Sequence, residues 1–182
     1  MIYKNIIKSI LLLISFFLIT SCSNNNAMKP EDFKNKEPRL IIEEYLSGNV
    51  KAWGVVQNRS GKVTRQFSAD LNGTWDGKQL ILKEKFNWDD GEIQDREWTI
   101  NKIDEHNYEG TAGDVVGKAK GFSYGPAFKF EYVLLVPVKG RELKITFDDW
   151  IFKQDDRVAI NRATMTKFGF KVAELTVVFV KD

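Results

Sequence analysis

Apolar and polar residues alternate along most of the chain from Lys51 onward, in short runs separated by Gly, Asp and Asn. In one such run every second residue from 67 to 75 is apolar or glycine: Phe67, Ala69, Leu71, Gly73 and Trp75. A period of two is typical of half-buried β-strands. The pattern predicts about nine strands, and the gaps between them are too short for parallel crossovers. We therefore expect an antiparallel meander.

The strand count also predicts how the sheet is completed. Exposed strand edges must be paired or covered, and closure into a barrel does so most economically. A barrel of about eight strands either holds a small ligand or is filled by its own side chains. We predict a single all-β barrel over residues 40–182, with a flattened two-layer sandwich as the alternative. The stretch from Leu40 to Leu46 fits either a short helix or a first strand.

The hairpin around residues 89–91 has a register that the sequence determines. A three-residue loop keeps the apolar faces of both strands on one side, and Gly91 suits the left-handed position at the end of such a loop. This register places Glu84 opposite Arg96 on the interior face of the sheet.

A second hairpin turns near Asp155-Asp156. If these two residues form the loop, Asp149 faces Arg162, again on the apolar side. Both inward pairs have a structural interpretation, a buried ion pair that fixes the register. They also have a functional one, an anchor for a ligand headgroup, because arginine recognises carboxylates and phosphates. An arginine opposite each acid predicts ionised carboxylates rather than proton donors.

Small residues alternate along the segment from 115 to 123, and the lysines between them should face water. The small face, which includes Gly117, Ala119 and Gly121, would then line a cavity together with Phe130 and Tyr132 of the following strand. The alternative is close packing of these small residues against bulky ones.

The N-terminus indicates where the protein works. Lys4 and Lys8 precede a short apolar run that ends at Ile19-Thr20-Ser21-Cys22. The run has the length of a signal peptide rather than of a membrane-spanning helix. A small residue before a cysteine at this place predicts a lipoprotein signal over residues 1–21, with Cys22 acylated. Residues 22–39 would form a flexible tether, and an uncleaved anchor is the alternative. We expect the bacterial cell envelope, with the outer membrane facing the periplasm as the default.

Composition excludes several classes of function. The chain has 27 Lys and Arg against 25 Asp and Glu. Removal of Lys4 and Lys8 with the signal leaves a formal charge of zero, so a nucleic-acid partner is not expected. The single cysteine, which the anchor uses, leaves none for a disulfide. Metal-ligand spacing, phosphate loops and nucleophile motifs are absent, so we predict neither cofactor nor metal and no catalytic residues.

Several separated motifs resemble a family of bacterial lipoproteins, domain of unknown function 3833, over essentially the whole mature chain. The motifs are residues 52–56, 59–61, 90–92 with Phe86, 96–98, 114–119, 148–150, 161–163 and 167–170. The resemblance implies a lipid-anchored, β-rich domain similar in layout to lipocalin-like barrels, without an assigned activity.

The leading hypothesis from the sequence is a non-enzymatic envelope lipoprotein that binds a hydrophobic or amphipathic molecule such as a lipid. The alternative is a structural or assembly lipoprotein that acts through a protein partner. A lipid-acting isomerase or hydrolase is a third, less favoured possibility.

Overall fold

The computed structural model of the protein describes residues 27–138 and 140–182, so the predicted signal and Cys22 lie outside the described residues. Ten strands follow one another along this part of the chain. They are β1 Gly48–Asn58, β2 Val63–Trp75, β3 Gln79–Trp88, β4 Ile93–Lys102, β5 Asn107–Thr111, β6 Ala119–Tyr124, β7 Ala127–Val138, β8 Arg141–Lys153, β9 Val158–Lys167 and β10 Phe170–Lys181. The sequence pattern indicated about nine.

The strands form one closed antiparallel barrel in which each pairs with its neighbours in the chain and β1 pairs with β10. Closure removes the free strand edges, as the prediction requires. The predicted all-β meander and barrel are confirmed. Within the described residues, no helix is both long and apolar enough to cross a membrane.

A short helix, α1 Ile42–Tyr45, covers one end of the barrel, which we call the closed end. Residues of this segment are almost fully buried: Leu40, Ile42, Tyr45 and Leu46. The amide of Leu40 donates to the carbonyl of Gly125, and the Tyr45 hydroxyl donates to the carbonyl of Arg157. Both carbonyls lie in connections at this end, β6–β7 and β8–β9.

One buried carboxylate fixes the helix to the barrel wall. Glu43 accepts hydrogen bonds from the Lys102 ammonium and, at 2.9 Å, from the Tyr108 hydroxyl. Charge-assisted bonds of this kind are stronger than neutral ones, so the short helix does not depend on its own propensity. The opposite end, where the β1–β2, β3–β4, β5–β6, β7–β8 and β9–β10 connections lie, carries no such cover among the described residues. We call it the open end.

Residues just before α1, which the sequence assigns to the tether, contact the outside of the barrel. A 3₁₀ helix, Pro30–Phe33, places the ring of Phe33 5.5 Å from that of Phe152 and 6.0 Å from that of Trp150. Every strand and the covering helix thus lie between Pro30 and Lys181. The chain from Ala27 therefore contains all the elements of the described fold.

The β3–β4 hairpin has the predicted register. Glu84 pairs with Arg96, the amide of Trp88 donates to the carbonyl of Glu92, and Gly91 has a φ of +86°.

The predicted register of the β8–β9 hairpin is wrong by one residue. Asp149 pairs with Ala163, not with Arg162, because the loop has three residues rather than two. The amide of Gln154 donates to the carbonyl of Val158, and the Asp155 carboxylate accepts from the backbone amides of Arg157 and Val158. A shift of one residue turns every side chain of a strand to the other face. Arg162 consequently points outward.

Candidate functional site

The barrel interior contains a cavity of about 390 Å³ that opens at the open end. Its floor is formed by Ile42 and Leu46 of the covering segment, and its mouth by Val138, Arg65 and Trp88 among others. Most of the lining is apolar or aromatic. A volume in this range and a mostly apolar lining are typical of small-molecule sites.

Arg65 stands at the mouth of the cavity, held by three neighbours. Its guanidinium lies over the ring of Trp88, 3.9 Å from the centroid, and it donates to Asp90 at 2.8 Å and to Glu92 at 2.9 Å. The indole nitrogen of Trp88 donates in turn to Gln94 at 3.3 Å. The cation–π contact and the two carboxylates hold this arginine in place at the rim.

Deeper in the cavity, six polar side chains form what we call the polar belt: Glu84, Arg96, Asp114, Tyr132, Asp149 and Asn161. Arg96 is held by Asp114 through three hydrogen bonds, the shortest 2.7 Å from Nη2 to Oδ2. Glu84 is farther away, with 3.8 Å between its Oε2 and Nη1 of Arg96. Asp114 comes from the β5–β6 connection, so a loop supplies the principal partner of a strand residue.

The other half of the polar belt is centred on Asp149. Its carboxylate accepts a hydrogen bond from the side-chain amide of Asn161 and another, of 2.9 Å, from the hydroxyl of Tyr132. Asn161 also donates to the carbonyl of Trp150 at 3.1 Å, which fixes the orientation of the amide. Asp149 is therefore stabilised by neutral donors rather than by a direct ion pair.

Burial raises the pKa of both inward acids. It raises the pKa of Glu84 to about 7, because Arg96 offsets only part of the desolvation and the nearby Asp149 carboxylate adds to the rise. Burial raises the pKa of Asp149 to about 6, and the hydrogen bonds from Asn161 and Tyr132 counteract it only in part. The expectation that an opposing arginine keeps both acids firmly ionised is therefore wrong. Arg96 is shared with Asp114, and Asp149 has no arginine opposite.

Arg162, predicted as an interior partner or headgroup anchor, does not reach the cavity. Its side chain is 66% exposed on the outer face, where it lies 3.6 Å from Glu174. Asn161 takes the interior position instead. Periodicity provided no strong signal for Asn161, because β9 has apolar residues on both of its faces.

The predicted small-residue wall does not line the cavity. Gly117 is exposed in the β5–β6 connection with a φ of +75°, while Ala119 and Gly121 are buried in β6. A Cβ built on Gly121 would lie 2.9 Å from the ring of Phe128. The close-packing alternative therefore describes Gly121, because the ring of Phe128 fills the space that a side chain would occupy. Phe130 and Tyr132 do line the cavity, as predicted.

The polar belt carries more acidic than basic groups, with three carboxyls and one guanidinium. Two of the three guanidinium nitrogens of Arg96, Nε and Nη2, already donate to Asp114, and the carboxyls of Glu84 and Asp149 lie in the same belt. An anionic headgroup would meet these carboxyls without a free counter-charge. Hydroxyl, carbonyl or amide groups can instead exchange hydrogen bonds with the protonated or ionised forms of Glu84 and Asp149. Among residues 27–138 and 140–182, no group of three or more His, Cys, Asp or Glu is placed to hold a metal ion.

Solved structures with the same fold are distant in sequence. An S-type phycobiliprotein lyase from Guillardia theta is similar at 9% identity with a TM-score of 0.55, over 77% of this chain and 90% of that chain. A protein of unknown function from the DUF3598 family of Nostoc punctiforme is similar at 14% identity with a TM-score of 0.60, over 81% of this chain and 51% of that one. At these identities the likeness concerns the fold alone.

Sequence comparison complements these structural matches. No curated protein matches the chain. The sequence profile of a family described as "Protein of unknown function (DUF3833)" matches residues 16–181.

Proposed function

The chain belongs to the DUF3833 family, whose description assigns no activity, and from the cavity we propose that it is a non-enzymatic binder or carrier of an amphipathic, lipid-like molecule. The observation that supports this proposal is a mostly apolar cavity of about 390 Å³, open at one end and crossed by the polar belt. A purely structural role would not require an open cavity, because a barrel filled by its own side chains could perform it. An open, apolar interior costs packing energy that ligand binding can offset.

The proposed ligand has an apolar portion and an uncharged polar group. Leu71, Leu82 and Ile100 line the cavity on the floor side of the polar belt and would contact the apolar portion. Glu84 and Asp149 would exchange hydrogen bonds with the polar group. Fatty alcohols, monoacylglycerols and amide-linked lipids fit this description better than free fatty acids do, because Arg96 is already neutralised by Asp114.

The predicted acylation of Cys22 would hold such a binder at the cell envelope, in the proposed default at the outer membrane facing the periplasm. The chain would then collect or deliver its ligand beside a lipid surface. This part of the proposal rests on the sequence pattern at residues 19–22 alone.

Native mass spectrometry of the protein purified from its host, without detergent exchange of bound lipid, tests the proposal. We expect a co-purifying molecule of lipid mass that is lost on organic extraction. A protein that is repeatedly empty, and that binds neither an uncharged nor an anionic fluorescent lipid probe, would contradict it. Crosslinking of such an empty protein to one stoichiometric protein partner would instead support the structural or assembly role.

A second candidate function, chemistry on a lipid, is favoured by one observation. Glu84 and Asp149 are interior carboxyls whose pKa values are raised to about 7 and about 6, which is the range of general acids and bases. One protein with this fold is a lyase, so the fold does not separate a binder from a catalyst. The co-purified lipid distinguishes the two. A catalyst would convert it on incubation, and the Glu84→Gln variant would not, whereas a binder would return it unchanged.

A further inference from the structure

We propose that the open end of the barrel docks onto a lipid bilayer with anionic headgroups, and that the tip of the β9–β10 hairpin inserts into it. The tip is Lys167-Phe168-Gly169-Phe170-Lys171. Phe168 is 89% exposed and Phe170 is 70% exposed, values that no other large apolar residue of the described chain reaches. Large exposed apolar side chains mark contacts with proteins or membranes.

Seven of the eleven exposed large apolar residues of the described chain lie at one end of the molecule, while Trp53 and Val178 lie on the barrel wall and Met28 lies before the first helix. Each of the five connections at the open end contains or adjoins at least one of them: Val63, Ile93, Val116, Val138, Phe168, Phe170 and Val172. At the closed end, the strand connections of the described chain contribute only Ile103. The apolar residues therefore form an incomplete ring around the cavity mouth.

The conformation of Phe168 is unfavourable for the isolated fold. Lys167 pairs with Phe170, so Phe168 and Gly169 form a two-residue turn with φ values of +51° and +80°. Turns of this kind favour Asn-Gly, because a bulky residue with positive φ is strained. Phe168 has this strained backbone although its ring is exposed to solvent and gains little packing in return. Neither packing nor turn geometry accounts for a phenylalanine here, whereas membrane contact does.

Basic residues surround the same part of the rim. The β9–β10 connection and its two neighbours carry Arg59, Lys62, Arg141, Lys167 and Lys171, against one acid, Glu142. Lys167 lies with its ammonium 5.3 Å from the centre of the Phe168 ring, and Lys171 contacts Glu174 at 3.2 Å. Lysine and arginine beside aromatic residues suit the headgroup region, where the charges meet anionic lipids.

The closed end has the opposite character. Its connections carry five acids, Asp76, Asp104, Glu105, Asp155 and Asp156, against two bases, Lys78 and Arg157. Two of these acids are paired with bases outside the connections, Glu105 with Arg39 and Asp156 with Lys153, which leaves three acids that form no salt bridge among the described residues. An anionic surface would therefore repel the closed end and attract the β9–β10 side of the open end. The β3–β4 connection on the far side of the mouth carries three acids, Asp89, Asp90 and Glu92, and the last two are paired with Arg65. The charges thus orient the cavity mouth towards the bilayer.

Docking in this orientation would let an amphipathic molecule pass between the bilayer and the cavity without crossing water. The docking proposal stands independently of the cavity ligand, because it rests on the rim alone. Failure of ligand binding would leave it unaffected, and failure of docking would leave the ligand proposal unaffected.

The first experiment uses residues 27–182, which contain no cysteine, since the only one is Cys22. An environment-sensitive dye is attached to a single cysteine introduced as Phe170→Cys at the rim or as Ile103→Cys at the closed end. Vesicles of phosphatidylglycerol and phosphatidylethanolamine should shift and enhance the emission of the rim dye only. Equal responses at the two ends, or none at the rim, would overturn the proposal.

Vesicle co-sedimentation of unlabelled variants gives the strength of docking. Phe170→Ser should weaken binding roughly tenfold, from the apolar area withdrawn from the bilayer. Ile103 is also a large apolar residue and is 58% exposed, but it lies at the closed end, so Ile103→Ser should leave vesicle binding unchanged. Lys167→Gln should weaken binding to anionic vesicles more than Lys78→Gln does. Equal losses in either pair of variants would overturn the proposal.

Phe168→Asn separates docking from stability, because the two effects have opposite signs. Asparagine suits the turn, so the melting temperature should rise by roughly 2–4 °C, while vesicle binding falls. Retained binding by this variant would contradict the proposal. So would concentration-dependent self-association of the wild type that Phe168→Asn abolishes without affecting vesicle binding, since the rim would then be an interface between copies of the chain.

Discussion

Arg96 directs its guanidinium at Asp114, 18 residues further along the chain, rather than at Glu84, its partner in the barrel wall. The shortest nitrogen–oxygen distance is 2.7 Å to Asp114 and 3.8 Å to Glu84. The β5–β6 connection is thereby fastened across the cavity wall. Glu84 is left as a buried acid with a shared counter-charge, which together with its burial explains its raised pKa.

Replacing Arg96 by alanine should destabilise the fold much more than replacing Arg65. Arg96→Ala leaves Asp114 and Glu84 without their common cation inside the barrel, and breaking a buried pair costs about 3–5 kcal/mol. Arg65→Ala removes contacts at the rim and should cost about 1 kcal/mol. Urea denaturation at pH 8 measures both free energies of unfolding. Equal losses would mean that the Arg96–Asp114 contact does not hold the barrel together.

Stability should fall as the pH rises from 5 to 8. The folded pKa of Glu84, about 7, lies above its ordinary value of about 4.3, so the folded state retains a proton that the unfolded state has lost. The resulting stabilisation is complete below about pH 4 and is lost as the pH rises through 7. Between pH 5 and pH 8, the titration of Glu84 should lower the free energy of unfolding by about 2–3 kcal/mol. Asp149 contributes in the same direction.

The control for this pH dependence is Glu84→Gln, which keeps the shape and removes the titration. Between pH 5 and pH 8, the change in its free energy of unfolding should be about 2 kcal/mol smaller than the change in the wild type. Exposed acids such as Asp76 and Asp104 change the free energy of unfolding only at lower pH, because hydrogen bonds from backbone amides lower their pKa values. An unchanged pH dependence in the variant would show that Glu84 does not titrate in this range.

The two hairpins show where sequence suffices to predict register. In β3–β4, Gly91 marks the left-handed end of a three-residue loop, and only one register keeps both apolar faces together. In β8–β9 no glycine marks the loop, and β9 has apolar residues on both faces. Val158 and Ile160 are half-buried on the outer side, while Ala159 and Ala163 are buried inside. Either register is therefore compatible with the hydrophobic pattern.

The cavity itself was only partly predictable for a related reason. Alternation shows which residues face inward, and it correctly places Glu84, Arg96, Phe130 and Tyr132 inside. It does not show how far a ring reaches across the barrel. The rings that cover the small residues of β5 and β6 come in part from β7, as Phe130 does over Gly110 from two strands away. Asp114 enters from a loop, where no periodicity applies.

Substitutions in β9 test which face of this strand is interior. Asn161→Ala removes the donor that serves Asp149 and the carbonyl of Trp150, so two buried acceptors lose a partner, and the cost should be about 2–3 kcal/mol. Arg162→Ala, on the exposed face, should change the free energy of unfolding by less than about 0.5 kcal/mol. Thermal and urea denaturation compare the two. The reverse order would restore the register in which Arg162 faces inward.

Acylation of Cys22 is tested in the host cell. Growth with an alkyne-tagged fatty acid should label the wild-type protein, and Cys22→Ala should abolish the label and release the protein from the membrane fraction. Ser23→Ala, one residue later, is the matched control and should keep both. A labelled Cys22→Ala variant would show that the signal is not of the lipoprotein type.

Titration of residues 27–182 with an uncharged fluorescent lipid probe tests the binding cavity most directly, when two neighbouring substitutions are compared. Met165 faces the cavity and Thr166 faces outward on the same strand. Met165→Trp should fill the mouth and abolish saturable probe binding, whereas Thr166→Trp should bind as the wild type does. Equal probe binding by both variants, or no saturable binding by the wild type, would contradict a ligand-binding barrel.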